Sequence, residues 1–147
     1  MKLIPLLVST ALIAVTPVAH AQFAKTEDAI KYRQSTFSVM ATHFSRIGAV
    51  VKGEKPFNKD EVAANAAIVA TLSTLPWQAF GPGTQGGKAQ ANIWTEADKF
   101  KAGGDKMQKA LADLNVAAKS GDLDRIKKAF GEAGQSCKAC HDNYRKK

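Results

Sequence analysis

The stretch from Ile126 to Tyr144 reads IKKAFGEAGQSCKACHDNY. Its inward positions Ile126, Phe130, Ala133, Cys137, Cys140 and Tyr144 advance by alternating steps of four and three. That is the a/d seam of an α-helix packed at a shallow angle against neighbours. On such a helix Cys137 and Cys140 share a face, so both thiols can reach the two vinyl groups on one porphyrin edge. His141 follows at once, and two cysteines three apart followed by histidine are the signature of covalent c-type haem attachment. Haem iron commonly takes such a proximal histidine. The motif uses both cysteines of the chain. Two other chemistries fit less well. A thioredoxin-like dithiol wants a βαβ context, which the surrounding pattern lacks, and structural zinc wants four ligands in a tetrahedron.

The chain of 147 residues suits one domain preceded by a leader. Lys2, the apolar run Leu3 to Val15 and the small-x-small site Ala19-His20-Ala21 read as a secretory signal peptide, residues 1–21, too short to span a bilayer. The mature protein, 22–147, is then exported to a periplasm-like compartment, where thioether bonds to haem would remove an otherwise oxidisable cysteine pair. With Lys2 gone, 20 basic residues face 13 acidic ones, a net charge of +7. Two haem propionates would lower that to about +5. The lysines are scattered and no nucleic-acid motif accompanies them, so the charge reads as a solvated, partner-steering surface. No later segment is apolar enough for membrane insertion.

Three further amphipathic segments precede the last. The first starts at Thr26 as N-cap, with Glu27 and Asp28 in the first turn, and its seam runs Ile30, Arg33, Phe37, Met40, Phe44, Ile47, Val51. Arg33 is the anomaly, because an arginine on a core seam costs several kcal/mol unless an anion meets it. The second opens at Asn58 with Glu61 as a capping-box partner and carries Val62, Ala66, Val69 and Leu72, flanked by Ile68 and Leu75. Leu75-Pro76 closes it, and the Gly/Pro-rich run Gly81 to Gly87 marks a long crossover. The third spans Asn92 to Lys119, with a Gly103-Gly104 pair costing roughly 2 kcal/mol of helix propensity, where a bend or a close approach of another group are both open readings. Ser120-Gly121 ends it and Asp122 caps the last helix. Four amphipathic helices with one long crossover loop are expected.

This arrangement resembles cytochrome c′, the class II c-type cytochromes, across essentially all of Gln22 to Lys147. The resemblance is strongest in Tyr32-Arg33-Gln34, Leu75-Pro76-Trp77, Phe80-Gly81-Pro82-Gly83-Thr84 and Cys137-Lys138-Ala139-Cys140-His141 with Tyr144-Arg145. It implies their arrangement as an all-α, four-helix antiparallel bundle enclosing a covalently bound haem. It implies one haem c held by Cys137 and Cys140, with His141 the single axial ligand of a five-coordinate iron. It further implies Arg33 and Gln34 as partners of a haem propionate, Trp77 and Phe80 as pocket walls, and Arg145 as a basic neighbour of His141. The position covering the iron falls on Phe37, where many members have leucine, with Met40 one turn along.

Two functions follow. An open, apolar distal face would bind small gases, chiefly nitric oxide and also carbon monoxide, with one-electron transfer available to an unidentified redox partner. No general acid or base is visible on that side, so no catalytic cycle is expected. Alternatively Met40 ligates iron and the protein is a six-coordinate, low-spin His/Met electron shuttle, with Met107 and His43 as weaker candidates for that ligand. The resemblance also implies a homodimer through the first two helices. His43 steps off the seam and reads as a flank or interface residue.

Overall fold

The computed structural model describes residues 22–147; the leader expected at 1–21 lies outside the described residues. Within them the chain forms α1 (Thr26–Val51), α2 (Lys59–Leu72), a 3-10 turn Pro76–Phe80, a single helical turn α3 (Asn92–Thr95), α4 (Ala97–Ser120) and α5 (Leu123–Tyr144). The four long helices make the expected all-α bundle. α1 packs on α2, α2 on α4 and α4 on α5, while α1 meets α5 over a much shorter stretch.

Local chemistry sets most boundaries. Asn58 caps α2 by accepting from the Glu61 N–H, and Asp122 caps α5 by accepting from the N–H groups of Asp124 and Arg125. Gly121 adopts φ 76° at the end of α4, the left-handed cap that glycine enters without a Cβ penalty. The core between the helices is built from Ile47, Val62, Val69, Leu111, Leu114 and Ile126, each at most 2% exposed. Side chains of this kind contribute roughly 1.5–3 kcal/mol each when fully buried.

Four expectations need correction. Thr26 is not the N-cap: Lys25 holds that position without a side-chain bond, and Thr26 Oγ1 instead donates to Gly83 O at 2.8 Å across the bundle. The third segment is not one helix, since Glu96 at φ −120°, ψ 41° separates α3 from α4. On the α1 seam, Thr36 is buried where Phe37 and Phe44 are only half-buried, the two phenylalanines lining a cavity. Ile68 and Leu75, read as part of the α2 stripe, are 38% and 36% exposed.

The glycine pair does not interrupt α4, which runs through it unbroken. Gly104 answers to a close approach: a Cβ there would stand 2.7 Å from Trp77 Cη2 and Cζ3. Real carbon contacts settle near 3.5–4.0 Å, so only glycine lets the indole lie this close to the helix.

Candidate functional site

α5 delivers Cys137, Cys140 and His141 to a cavity of about 580 Å³ between α1, α4, α5 and the crossover. The same cavity is lined by Arg33, Gln34, Phe37 and Met40 from α1, Trp77 and Phe80 from the 3-10 turn, and Arg145 beyond α5. All ten residues singled out in the sequence thus meet in one place, although they span more than a hundred positions of chain.

The inner wall is apolar. Met40, Val69, Met107 and Leu111 are buried, and Phe37 and Phe44 turn toward the space between them. Phe44 stacks on Phe130 of α5 with centroids 4.3 Å apart and planes 13° from parallel, closing the α1–α5 seam. Gly48 makes room for that stack, since a Cβ there would meet Phe130 Cζ at 3.0 Å. Trp77 stands edge-on to Phe37 at 6.4 Å, its indole N–H tied to Ser73 O at 2.7 Å. Phe80 packs edge-on against Phe100 at 4.9 Å, and Phe100 against Tyr144 at 5.2 Å. Phe100, Ile93 and Tyr144 therefore belong to the cavity.

Arg33 is 3% exposed, and its cation is met by dipoles of the crossover. Nη1 donates to Ala79 O at 2.6 Å and Thr84 O at 2.7 Å, and Nη2 donates to Gly86 O at 2.9 Å. Phe80 and Trp94 flank the guanidinium at 4.6 and 5.7 Å from their ring centroids. Burial lowers its pKa without neutralising it. A guanidinium has five N–H donors. Three are used by the backbone carbonyls of Ala79, Thr84 and Gly86, which leaves two without a partner among the described residues.

Burial shifts all three groups of the motif toward their uncharged forms. Partial burial lowers the His141 pKa, the Arg145 charge lowers it further, and Asp142 partly opposes both, so protonation of the imidazole is disfavoured. Burial raises the Cys137 thiol pKa against hydrogen bonds from Ser136 and its own backbone, and burial followed by the Cys137 charge raises that of Cys140. His43 stands apart from the cavity. Its Nδ1 lies 2.8 Å from Asn65 Oδ1, an α1–α2 contact in which Asn65 in turn donates to Glu61 O.

Two thiols three apart, an adjacent imidazole and an aromatic-walled apolar chamber fit a covalently held haem, which places the chain in the class of c-type haem-binding four-helix bundles. The family profile described as Cytochrome C' matches residues 28–145. Over 126 residues the chain is 53% identical to cytochrome c′ of Alcaligenes xylosoxydans xylosoxydans, covering 86% of this chain and 99% of that protein. It is 47% identical over 129 residues to cytochrome c′ of Rubrivivax gelatinosus, covering 86% and 100%. Among solved structures it is similar to a nitric oxide complex of a leucine-to-alanine variant of the Alcaligenes xylosoxidans protein, with TM-score 0.83, 52% identity and coverage of 86% and 99%. A leucine-to-phenylalanine variant of that protein in its ferrous form gives TM-score 0.84 and 53% identity, covering 86% and 100%. The chain belongs to the cytochrome c′ family, whose members carry covalently bound c-type haem.

Proposed function

We propose that the mature chain is a periplasmic haem protein whose iron, ligated by His141 alone, offers an apolar face to nitric oxide and carbon monoxide and exchanges single electrons. The observation that carries this reading is the wall opposite the attachment motif: Phe37, Met40, Phe44, Val69 and Leu111 line the cavity with Cys137, Cys140 and His141. Neutral diatomic ligands need no distal hydrogen bond, and such a wall offers none to polarised dioxygen. The nitric oxide complexes among the related structures support the gas reading. The haem would supply the ligand-binding and redox-active iron. Cys137 and Cys140 would anchor it, and Arg33 and Gln34, with the two guanidinium donors left by the loop, would receive a propionate. Trp77 and Phe80 would wall the pocket and Arg145 would keep His141 unprotonated. Binding and one-electron exchange, without turnover of a substrate, is the proposed role.

The outer face of α1 and α2 supports self-association. Phe23, Tyr32, Val39 and Leu72 line an open apolar groove, and Ile68 lies one turn before Leu72. Val39 is 47% exposed, an apolar side chain that a homodimer through α1 and α2 would cover. Among the described residues no helix is long and apolar enough to cross a membrane.

Met40, only 7% exposed in the same cavity, motivates the second reading, a low-spin His/Met shuttle. Absorption spectra of the reduced protein, with and without nitric oxide, decide between them. The open-site reading expects broad high-spin bands, a spectral change with nitric oxide, and an unchanged resting spectrum in Met40→Ala. Sharp split bands with a sulfur-to-iron feature in the oxidised form would refute it.

A further inference from the structure

α5 ends without a glycine cap. Arg145 leaves in extended conformation, φ −112° and ψ 129°, immediately after the turn that contains His141. The last carbonyls of a helix lack intrahelical donors and need partners from elsewhere. The crossover supplies them. Asn92 Nδ2 donates to Asn143 O at 3.0 Å, the Gln90 N–H to Tyr144 O at 3.0 Å, and Gln90 Nε2 to Arg145 O at 3.1 Å. The Lys146 N–H returns the bond to Lys88 O at 2.8 Å, and Ala89 pairs with Arg145 as an isolated antiparallel bridge. Asn92 gives up something for this: its Oδ1 is buried without a partner while its amide N–H serves the helix end. An unpaired buried acceptor is disfavoured, so the side chain is committed to its donor role.

We infer that Gln90 and Asn92 are positioning residues for His141, forming from the crossover the cap that α5 lacks and thereby setting how firmly the imidazole is held against the iron. Helix termini without such partners fray on fast timescales, and a frayed last turn would carry His141 with it. The inference rests on the haem reading proposed above and adds to it the part of the protein that stiffens the proximal side.

The test uses the full holoprotein with Asn92→Asp and Gln90→Glu, which keep side-chain size while removing the amide donor, and the double variant. Amide hydrogen exchange at Arg145 and Lys146 should accelerate about fivefold for each lost hydrogen bond. In resonance Raman spectra of the reduced protein the iron–histidine stretching band should move to lower frequency or lose intensity in the same order. Asn92→Gln, which restores an amide donor, should recover part of both. Faster exchange with an unmoved iron–histidine band would show a cap that does not position His141 and would overturn the inference. Unchanged exchange would overturn the cap itself. Failure of the unsubstituted protein, denatured, to retain haem in a peroxidase stain would overturn the proposed function, and the exchange data would still report on the cap.

Discussion

Replacing Arg33 by methionine keeps an unbranched apolar stem between Phe80 and Trp94 but deletes the three donors that hold Ala79, Thr84 and Gly86. Hydrogen bonds involving a charged group are worth about 1.5–3 kcal/mol each, so simple addition would give roughly 5–9 kcal/mol. That sum is too large. The Thr84 and Gly86 bonds are only part-buried, so those two carbonyls can turn to water, and the substitution also relieves the cost of keeping a cation buried. The Ala79 bond is buried, and its carbonyl is the acceptor that stays stranded. The expected loss is therefore about 1–3 kcal/mol, the cost of leaving that buried acceptor unsatisfied. For a domain of this size that is a fall in Tm of about 4–12 °C. Thermal unfolding followed by far-UV circular dichroism measures it, and amide exchange across residues 79–87 locates it. Thr26→Val calibrates the scale, because Thr26 Oγ1 holds Gly83 of the same loop from an exposed position and should cost about 0.5–1 kcal/mol. A loss under about 1 kcal/mol for Arg33→Met, or unaltered exchange in the loop, would refute the idea that the guanidinium clasps the crossover.

Gly104→Ala should lower stability by about 0–2 kcal/mol, because a clash of roughly 1–3 kcal/mol with Trp77 outweighs the helix-propensity gain of about 1 kcal/mol. Its near-ultraviolet circular dichroism should change with the indole environment, whereas Gly103→Ala, where a Cβ meets nothing within 4 Å, should stabilise the chain. Arg145→Ala removes a charge that disfavours protonation of His141. Because the folded-state pKa of His141 is depressed, its contribution to stability is complete above the ordinary histidine value near 6.5 and is lost as pH falls through the folded-state pKa. Without Arg145 that depression is smaller and the protonated imidazole is less repelled, so the variant should lose less stability on acidification. Its acid transition, followed by absorption and circular dichroism, should begin at a lower pH than that of the parent.

What the sequence disclosed depended on how far each interaction reached. The Asn58 and Asp122 caps and the Gly121 stop are written in residues within one or two turns of each other, and the structure has them all. On the α5 seam it buries Ile126 and Ala133 and leaves Phe130, Cys137, Cys140 and Tyr144 half-buried. Thr26 was misplaced because a good capping hydroxyl is also a good donor, and Gly83, distant in sequence, supplies a competing acceptor. The break at Glu96 carries no glycine or proline to announce it. Arg33 was recognised as needing a counter-charge, yet its loop partners are backbone carbonyls, which every residue possesses and no pattern marks. Gly104 showed its helix-propensity cost in the sequence, while its cause, Trp77, lies 27 positions earlier on another element.

Two sequence-local pairs, α1 with α2 and α4 with α5, meet where α2 packs on α4, and most residues of the cavity are divided between them. Cys137, Cys140 and His141 sit on the second pair, while Arg33, Phe37 and Met40 sit on the first. With haem bonded to α5 as proposed, its encounter with α1 would be intramolecular, governed by an effective concentration instead of by the amount of free cofactor. The resulting stabilisation cannot be diluted away. It should make docking of the two pairs, more than formation of either one, the step of folding most sensitive to the prosthetic group.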